Sequence, residues 1–141
     1  MELTRRNFEY LAAVYEEEVD GITRLYKIAE RLNVKPPSAR KALKDLEFAG
    51  YVERLPGRGY RLTNEGKVVY LKFLWKHRIL ETFFCRILGF SPDEACRSVA
   101  CFDAYVPESV IAKMCEMLEH PVNCPHGFNI PHFPHRGDDV E

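Results

Sequence analysis

The chain has 141 residues, 46 % hydrophobic, 12 % aromatic and 29 % charged, with a net charge of −1; this suits one or two small folded domains and excludes wholesale disorder. No apolar stretch approaches the roughly 18–20 residues of a bilayer span, and the start, Met1-Glu2-Leu3-Thr4-Arg5-Arg6, lacks the apolar core of an export signal, so no membrane and a cytoplasmic location are expected. Five cysteines, at positions 85, 96, 101, 115 and 124, are an odd number, which argues against a secreted disulfide framework and for reduced thiols or metal ligands.

Residues 4–18 carry apolar side chains at Phe8, Leu11, Val14 and Tyr15, a helical spacing that ends in the acidic run Glu16-Glu17-Glu18. Asp20-Gly21 breaks it, and Ile22, Leu25, Ile28, Ala29 and Leu32 predict a second, shorter helix. After the turn Asn33-Val34-Lys35-Pro36-Pro37-Ser38, a third helix is expected from about Pro37 to Ala49, stopped by Gly50. The period then changes. Residues 51–55 and 60–62 predict two short strands around the tip Pro56-Gly57-Arg58-Gly59. Helix, helix, turn, helix, hairpin is the order of a winged helix-turn-helix.

Thr63-Asn64 caps a long helix over 65–88, whose apolar residues, Trp75, Phe83 and Phe84 among them, cover more than one face. Ser91-Pro92-Asp93-Glu94 opens a fifth helix to about Tyr105, and Pro107-Glu108-Ser109 a sixth. From Pro121 onward proline and histidine dominate, and residues 136–141 are expected to be a loose tail. The fold class is thus mainly α, a winged helix followed by an all-helical part.

Charge is unevenly placed. Between Asn33 and Arg61 seven basic residues face three acidic ones, a local charge of +4. A small nucleic-acid reader presents such a stripe, although a solvated surface carries the same charge. The exposed face of the third helix would carry Ser38, Arg40, Lys41 and Lys44, and the hairpin tip Arg58. These two prongs suit a helix in the major groove and a wing along the backbone of double-stranded DNA. A winged helix serving as a protein-interaction module is the alternative. No glycine-rich phosphate loop, nucleophile elbow or paired-carboxylate site occurs, and no enzymatic activity is expected.

The chain resembles the DtxR/MntR family of metal-dependent transcriptional repressors. The resemblance rests on Glu9-Tyr10-Leu11 and Tyr15, on Ile28-Ala29-Glu30-Arg31-Leu32-Asn33-Val34 with Pro37-Ser38, and on Leu46-Glu47 with Gly50-Tyr51-Val52. It continues through Leu62-Thr63 and Gly66, Lys76-His77-Arg78-Ile79-Leu80-Glu81, Leu88-Gly89, and Cys124-Pro125-His126-Gly127 with Ile130-Pro131. The family implies a DNA-binding domain over about 1–64 and a helical dimerisation and metal domain over about 65–135, without the third, SH3-like domain of longer members. It also implies a homodimer on a near-palindromic operator. Lys35, Pro37, Ser38 and Lys41 match the entry to its recognition helix.

The implied metal is Fe(II) or Mn(II), held between the first, the long and the fifth helix, so that it ties the first helix to the second domain. Glu9 occupies the ligand position on the first helix; His77 and Glu81 match the pattern on the long helix and, four apart, share one face. With the next stretch anchored at Gly89 without gaps, Cys96 falls where many members have histidine and Asp103 where they have glutamate, while Ala100 and Ala104 replace ligands. Matching Asp93-Glu94-Ala95-Cys96-Arg97 to a similar family stretch instead shifts the register by four, and the family's Glu-His pair is still absent. The expected cluster is Glu9, His77, Glu81, Cys96 and Asp103, with Cys101 as a further candidate; its thiolate favours Zn(II) or Co(II) more than an all-oxygen site would. One reasonably complete site is expected on His77, Glu81 and Cys96. Against this stand a plain surface pair at His77 and Glu81 and inert buried cysteines, the reading given to Cys85 and Cys115. Cys124, His126, His132 and His135 resemble a second ligand set, but the first part matches a family turn, which favours packing. The alternatives for the whole chain are a same-fold regulator sensing thiol oxidation through Cys96 and Cys101, and a metal-binding enzyme or carrier using the winged helix as scaffold.

Overall fold

The computed structural model describes residues 1–132; His135 and the tail over 136–141 lie outside the described residues. The chain divides into two compact units, Met1–Tyr70 and a second beginning at Leu71.

In the first unit, α1 (Arg5–Glu16) starts at a reciprocal cap, in which Thr4 Oγ1 accepts from the Asn7 N–H and Asn7 Oδ1 accepts from the Thr4 N–H. Phe8, Leu11 and Val14 bury its inner face, whereas Tyr15 is exposed. The acidic run is not merely solvated: Glu16 and Glu17 pair with Arg31 at 2.8 and 3.4 Å. α2 (Leu25–Leu32) begins later than the apolar spacing suggests. Ile22 bridges to Val19 across the Asp20-Gly21 turn, and Thr23 exchanges two backbone hydrogen bonds with Tyr60, both 2.8 Å. Ile22 therefore has the phase of a helix residue but belongs to an extended segment laid along the hairpin.

α3 (Pro36–Phe48) starts on the first of the two prolines and buries Ala39, Leu43 and Leu46. β1 (Val52–Leu55) and β2 (Gly59–Leu62) pair antiparallel in the register Val52–Leu62, Glu53–Arg61, Arg54–Tyr60, Leu55–Gly59. Gly59 is required there: a Cβ would lie 2.4 Å from the Thr23 carbonyl oxygen, at a φ of 144°. Gly66, in the first turn of α4 (Asn64–Arg86), is equally constrained, with a Cβ 2.0 Å from the Tyr51 carbonyl oxygen.

In the second unit the core gathers Trp75, Ile79, Leu80, Val99, Ile111, Cys115, Leu118, Cys124 and Ile130 around the later turns of α4. α5 is shorter than the sequence suggests, Pro92–Val99 and not to Tyr105. The Cys101 and Phe102 N–H groups donate to Ser98 and Val99, an i→i−3 pattern, and a 3-10 turn follows at Asp103–Tyr105. α6 (Glu108–Met117) completes the unit. Among the described residues no helix is long and apolar enough to cross a membrane.

Candidate nucleic-acid interface and metal centre

Lys35, Pro37, Ser38, Arg40, Lys41 and Lys44 are all exposed on α3 or its entry, and Arg58 is exposed at the hairpin tip. Asn33, in the left-handed region at φ 54°, ends α2 and turns the chain into this entry. Among the described residues none of the five cations in the set forms an ion pair, whereas Arg31 is paired with Glu16 and Arg61 with Glu53. Uncommitted cations on one small unit suit a polyanion. A cleft of about 400 Å³ runs between the start of α3 and the hairpin, lined by Arg24, Arg40, Arg54, Arg58, Tyr26 and Tyr60. Arg24 and Tyr26 were not singled out by sequence reasoning, because only the folding-back of the α2 entry onto β2 brings them here.

In the second unit His77 is the hub. Its Nδ1 lies 2.7 Å from Asp103 Oδ2, its Nε2 3.1 Å from Glu81 Oε2 and 3.6 Å from Cys96 Sγ. The i, i+4 spacing on α4 delivers His77 and Glu81 to one side; the capped start of α5 aims Cys96 at them. Asp103 arrives differently from expectation. It does not lie two helical turns from Cys96 along one face, because α5 has ended; the 3-10 turn sets it, fully buried, behind the imidazole.

Burial works against a charged imidazole, but hydrogen bonds to Asp103 and then Glu81 outweigh it, and the His77 pKa is raised to about 9. Both ring nitrogens face carboxylates, which only accept, so the metal-free ring is doubly protonated and donates on both sides. Burial likewise opposes the Glu81 carboxylate, yet His77 and His126 hold its pKa below the ordinary value.

Glu81 Oε1 accepts from His126 Nδ1 at 2.8 Å, and His126 Nε2 reaches Asp93 Oδ1 at 3.0 Å. Hydrogen bonds to Asp93 and then Glu81 raise the pKa of His126. The Cys124-Pro125-His126-Gly127 motif was visible in the sequence, but His126 is 45 residues from Glu81, and nothing local shows that it closes on α4. Cys124, buried, joins Glu81 and His126 in a second convergent set.

His77, Glu81 and Cys96 each offer a donor atom within 4.8 Å of the other two. One nitrogen, one carboxylate oxygen and one thiolate sulfur fit a divalent transition ion of borderline softness. Asp103 holds the remaining nitrogen of His77, the arrangement that fixes a ligating histidine's tautomer. Cys101 is exposed and its Sγ lies 3.7 Å from the Arg97 carbonyl oxygen, outside the convergent atoms. Glu9, in the first unit, pairs with Arg6 at 2.8 Å and Arg5 at 3.9 Å.

Two family models match the chain: "Iron dependent repressor, N-terminal DNA binding domain" over residues 2–60, and "Iron dependent repressor, metal binding and dimerisation domain" over residues 63–132. The diphtheria toxin repressor of Corynebacterium efficiens is 32 % identical over 127 residues, covering 86 % of this chain and 54 % of that protein. The chain therefore spans about half the length of the curated relatives it matches. The crystal structure of a hypothetical protein from Sulfolobus solfataricus superposes with a TM-score of 0.82 at 30 % identity, covering 92 % of this chain and 100 % of that one. The crystal structure of ScaR with bound Zn2+ gives a TM-score of 0.79 at 28 % identity, covering 89 % and 59 %.

Proposed function

The chain belongs to the iron-dependent repressor family, and from that premise we propose that it is a metal-responsive, DNA-binding transcriptional repressor acting as a homodimer. The observation that carries the metal dependence is the convergence of His77 Nε2, Glu81 Oε2 and Cys96 Sγ. A bound ion, Fe(II) or Mn(II) as relatives are named for, or Zn(II) or Co(II) through the thiolate, supplies the positive charge that holds α4 and α5 together at these donors. Asp103 keeps the imidazole turned so that Nε2 faces them. His126 holds Glu81 by Oε1, leaving Oε2 for the site.

On DNA, α3 enters the major groove. Ser38 and Lys41 near its start reach base edges, with Pro37 fixing the helix entry; Lys35, Arg40, Lys44 and Arg58 take phosphates. Exposed apolar residues of the second unit, Phe102, Tyr105, Val110 and Met117, supply material for an isologous dimer, which would match a near-palindromic operator.

The test is binding of the full chain to a selected operator by fluorescence anisotropy, with chelator and with Mn(II), Fe(II) or Zn(II) added back. Metal-dependent tightening supports the proposal. Equal binding with and without metal would refute metal control, and no DNA binding under any condition would refute the function.

A further inference from the structure

The second unit brings a thiol and two imidazoles together on elements that the His77 cluster does not use. α6 ends at Met117, and the chain turns through two consecutive non-glycine residues of positive φ, Glu119 at 59° and His120 at 52°. Such a conformation is disfavoured for residues that carry a Cβ. The His120 N–H donates back to the Cys115 carbonyl at 2.9 Å, so the residue folds over the last turn of the helix. Its Nδ1 lies 3.2 Å from Cys115 Sγ. From the other side the buried Ile130, whose N–H donates to the Val122 carbonyl at 2.8 Å, leads into His132. The rings of His120 and His132 meet edge to face, with centroids 6.1 Å apart at 68°. One donor atom of each of the three residues lies within 4.8 Å of the other two.

We propose that Cys115, His120 and His132 form a second metal site, for Zn(II) or another divalent ion that accepts thiolate. The donor chemistry selects the ion: one sulfur and two imidazole nitrogens suit Zn(II) or Co(II) and disfavour Mn(II). Bond lengths of about 2.3 Å to sulfur and 2.0–2.1 Å to nitrogen in a tetrahedron place ligand atoms about 3.3–3.6 Å apart. The Cys115–His120 separation of 3.2 Å is already close to this. Cys115 is fully buried while both histidines are exposed. The sulfur therefore roots the site in the core, with the two imidazoles at its rim. Binding displaces the thiol proton to solvent and joins α6 to the segment that carries His132, closing the excursion over residues 121–131.

The test uses the full chain carrying Cys96→Ser, which removes the thiolate of the His77 cluster. Co(II) is titrated while the near-ultraviolet thiolate-to-cobalt absorption and the bound ion per chain are read. A thiolate band that Zn(II) bleaches is expected, and it should fall sharply when His120→Ala and His132→Ala are added, any remainder coming from Cys124 beside Glu81 and His126. Both histidines are exposed, and circular dichroism checks that the fold is kept. Zn(II) should raise the melting temperature of the Cys96→Ser chain more than that of the triple variant. A band of undiminished intensity in the triple variant, or no thiolate band in the Cys96→Ser chain at millimolar Co(II), would overturn the proposal. Neither result depends on whether the protein binds DNA.

Discussion

Arg58 offers the sharpest test of the DNA-binding face. It stands exposed at the hairpin tip and, among the described residues, carries no ion pair, so Arg58→Ala removes a cation with little expected effect on folding. If it contacts one phosphate in each protomer, a dimer loses two contacts. At about −0.9 in log K per log salt for each phosphate, the slope should shrink by about 1.8. Between 50 and 200 mM salt this amounts to about 1.1 log units, so the salt rise costs the variant about twelvefold less than the parent. Extrapolated from 1 M, where counterion release vanishes, affinity at 200 mM should fall about 20-fold, for operator and random duplex alike. Arg61→Ala is the internal control, because Arg61 is already committed to Glu53 at 2.8 Å. Anisotropy titrations at four or more salt concentrations read the slopes. An unchanged slope for Arg58→Ala, or an equal loss for Arg61→Ala, would refute the assignment of the wing to phosphate.

Lys41→Ala should instead lower operator binding, by about 1–3 kcal/mol per protomer if it holds a base edge, and change random-duplex binding far less; equal losses on both would place Lys41 on phosphate. Cys96→Ser should weaken Zn(II) and Co(II) more than Mn(II) in direct titrations, since softness is what the thiolate adds, and equal losses would exclude Cys96 as a ligand. In metal-free protein the raised His77 pKa stabilises the fold fully below the unfolded value near 6.5, and that contribution is lost as pH rises through about 9. Asp103→Asn should bring the imidazole titration, followed by NMR, down towards its ordinary range, and an unchanged titration would show that Asp103 does not hold the ring. Sedimentation should find a dimer at micromolar concentration, and a stable monomer would count against the homodimer.

The winged helix was legible because its signals are local: apolar spacing on α1 and α3, paired prolines at the α3 start, glycines in the hairpin. That His77 and Glu81 share a helix face was legible for the same reason, their i, i+4 spacing, but only the family resemblance singled them out as ligands. Where a distant segment decides the local state, the sequence misleads. Ile22 has helical phase but lies along the hairpin, since Thr23 finds Tyr60 as backbone partner. Asp103 continues an apparent α5 periodicity, yet its burial against His77 accompanies a tightened, terminated helix. Of the two cysteines whose apolar neighbours place them in the core, Cys115 is buried, but Cys85, near the end of α4, is only half-buried. The neighbour of Cys115, His120, was invisible, because no residue type in Leu118-Glu119-His120 announces two left-handed residues.

Glu81 is common to two convergent donor sets, and its geometry indicates which of them is better prepared for an ion. A cation among His77, Glu81 and Cys96 takes Oε2 and leaves the Oε1 bond to His126 intact, so the turn at Cys124–Gly127 stays fastened to α4. A cation among Glu81, Cys124 and His126 has to compete for the same His126 nitrogen or displace its other nitrogen from Asp93. The supports also differ. His77 is oriented by Asp103, which is wholly buried, whereas His126 is oriented by Asp93, whose side chain is 81 % exposed and therefore screened by water and salt. A ligand held by a desolvated carboxylate loses less freedom on binding. The proposed ion therefore belongs on the His77 side, with His126 serving to fix the carboxylate that the ion shares.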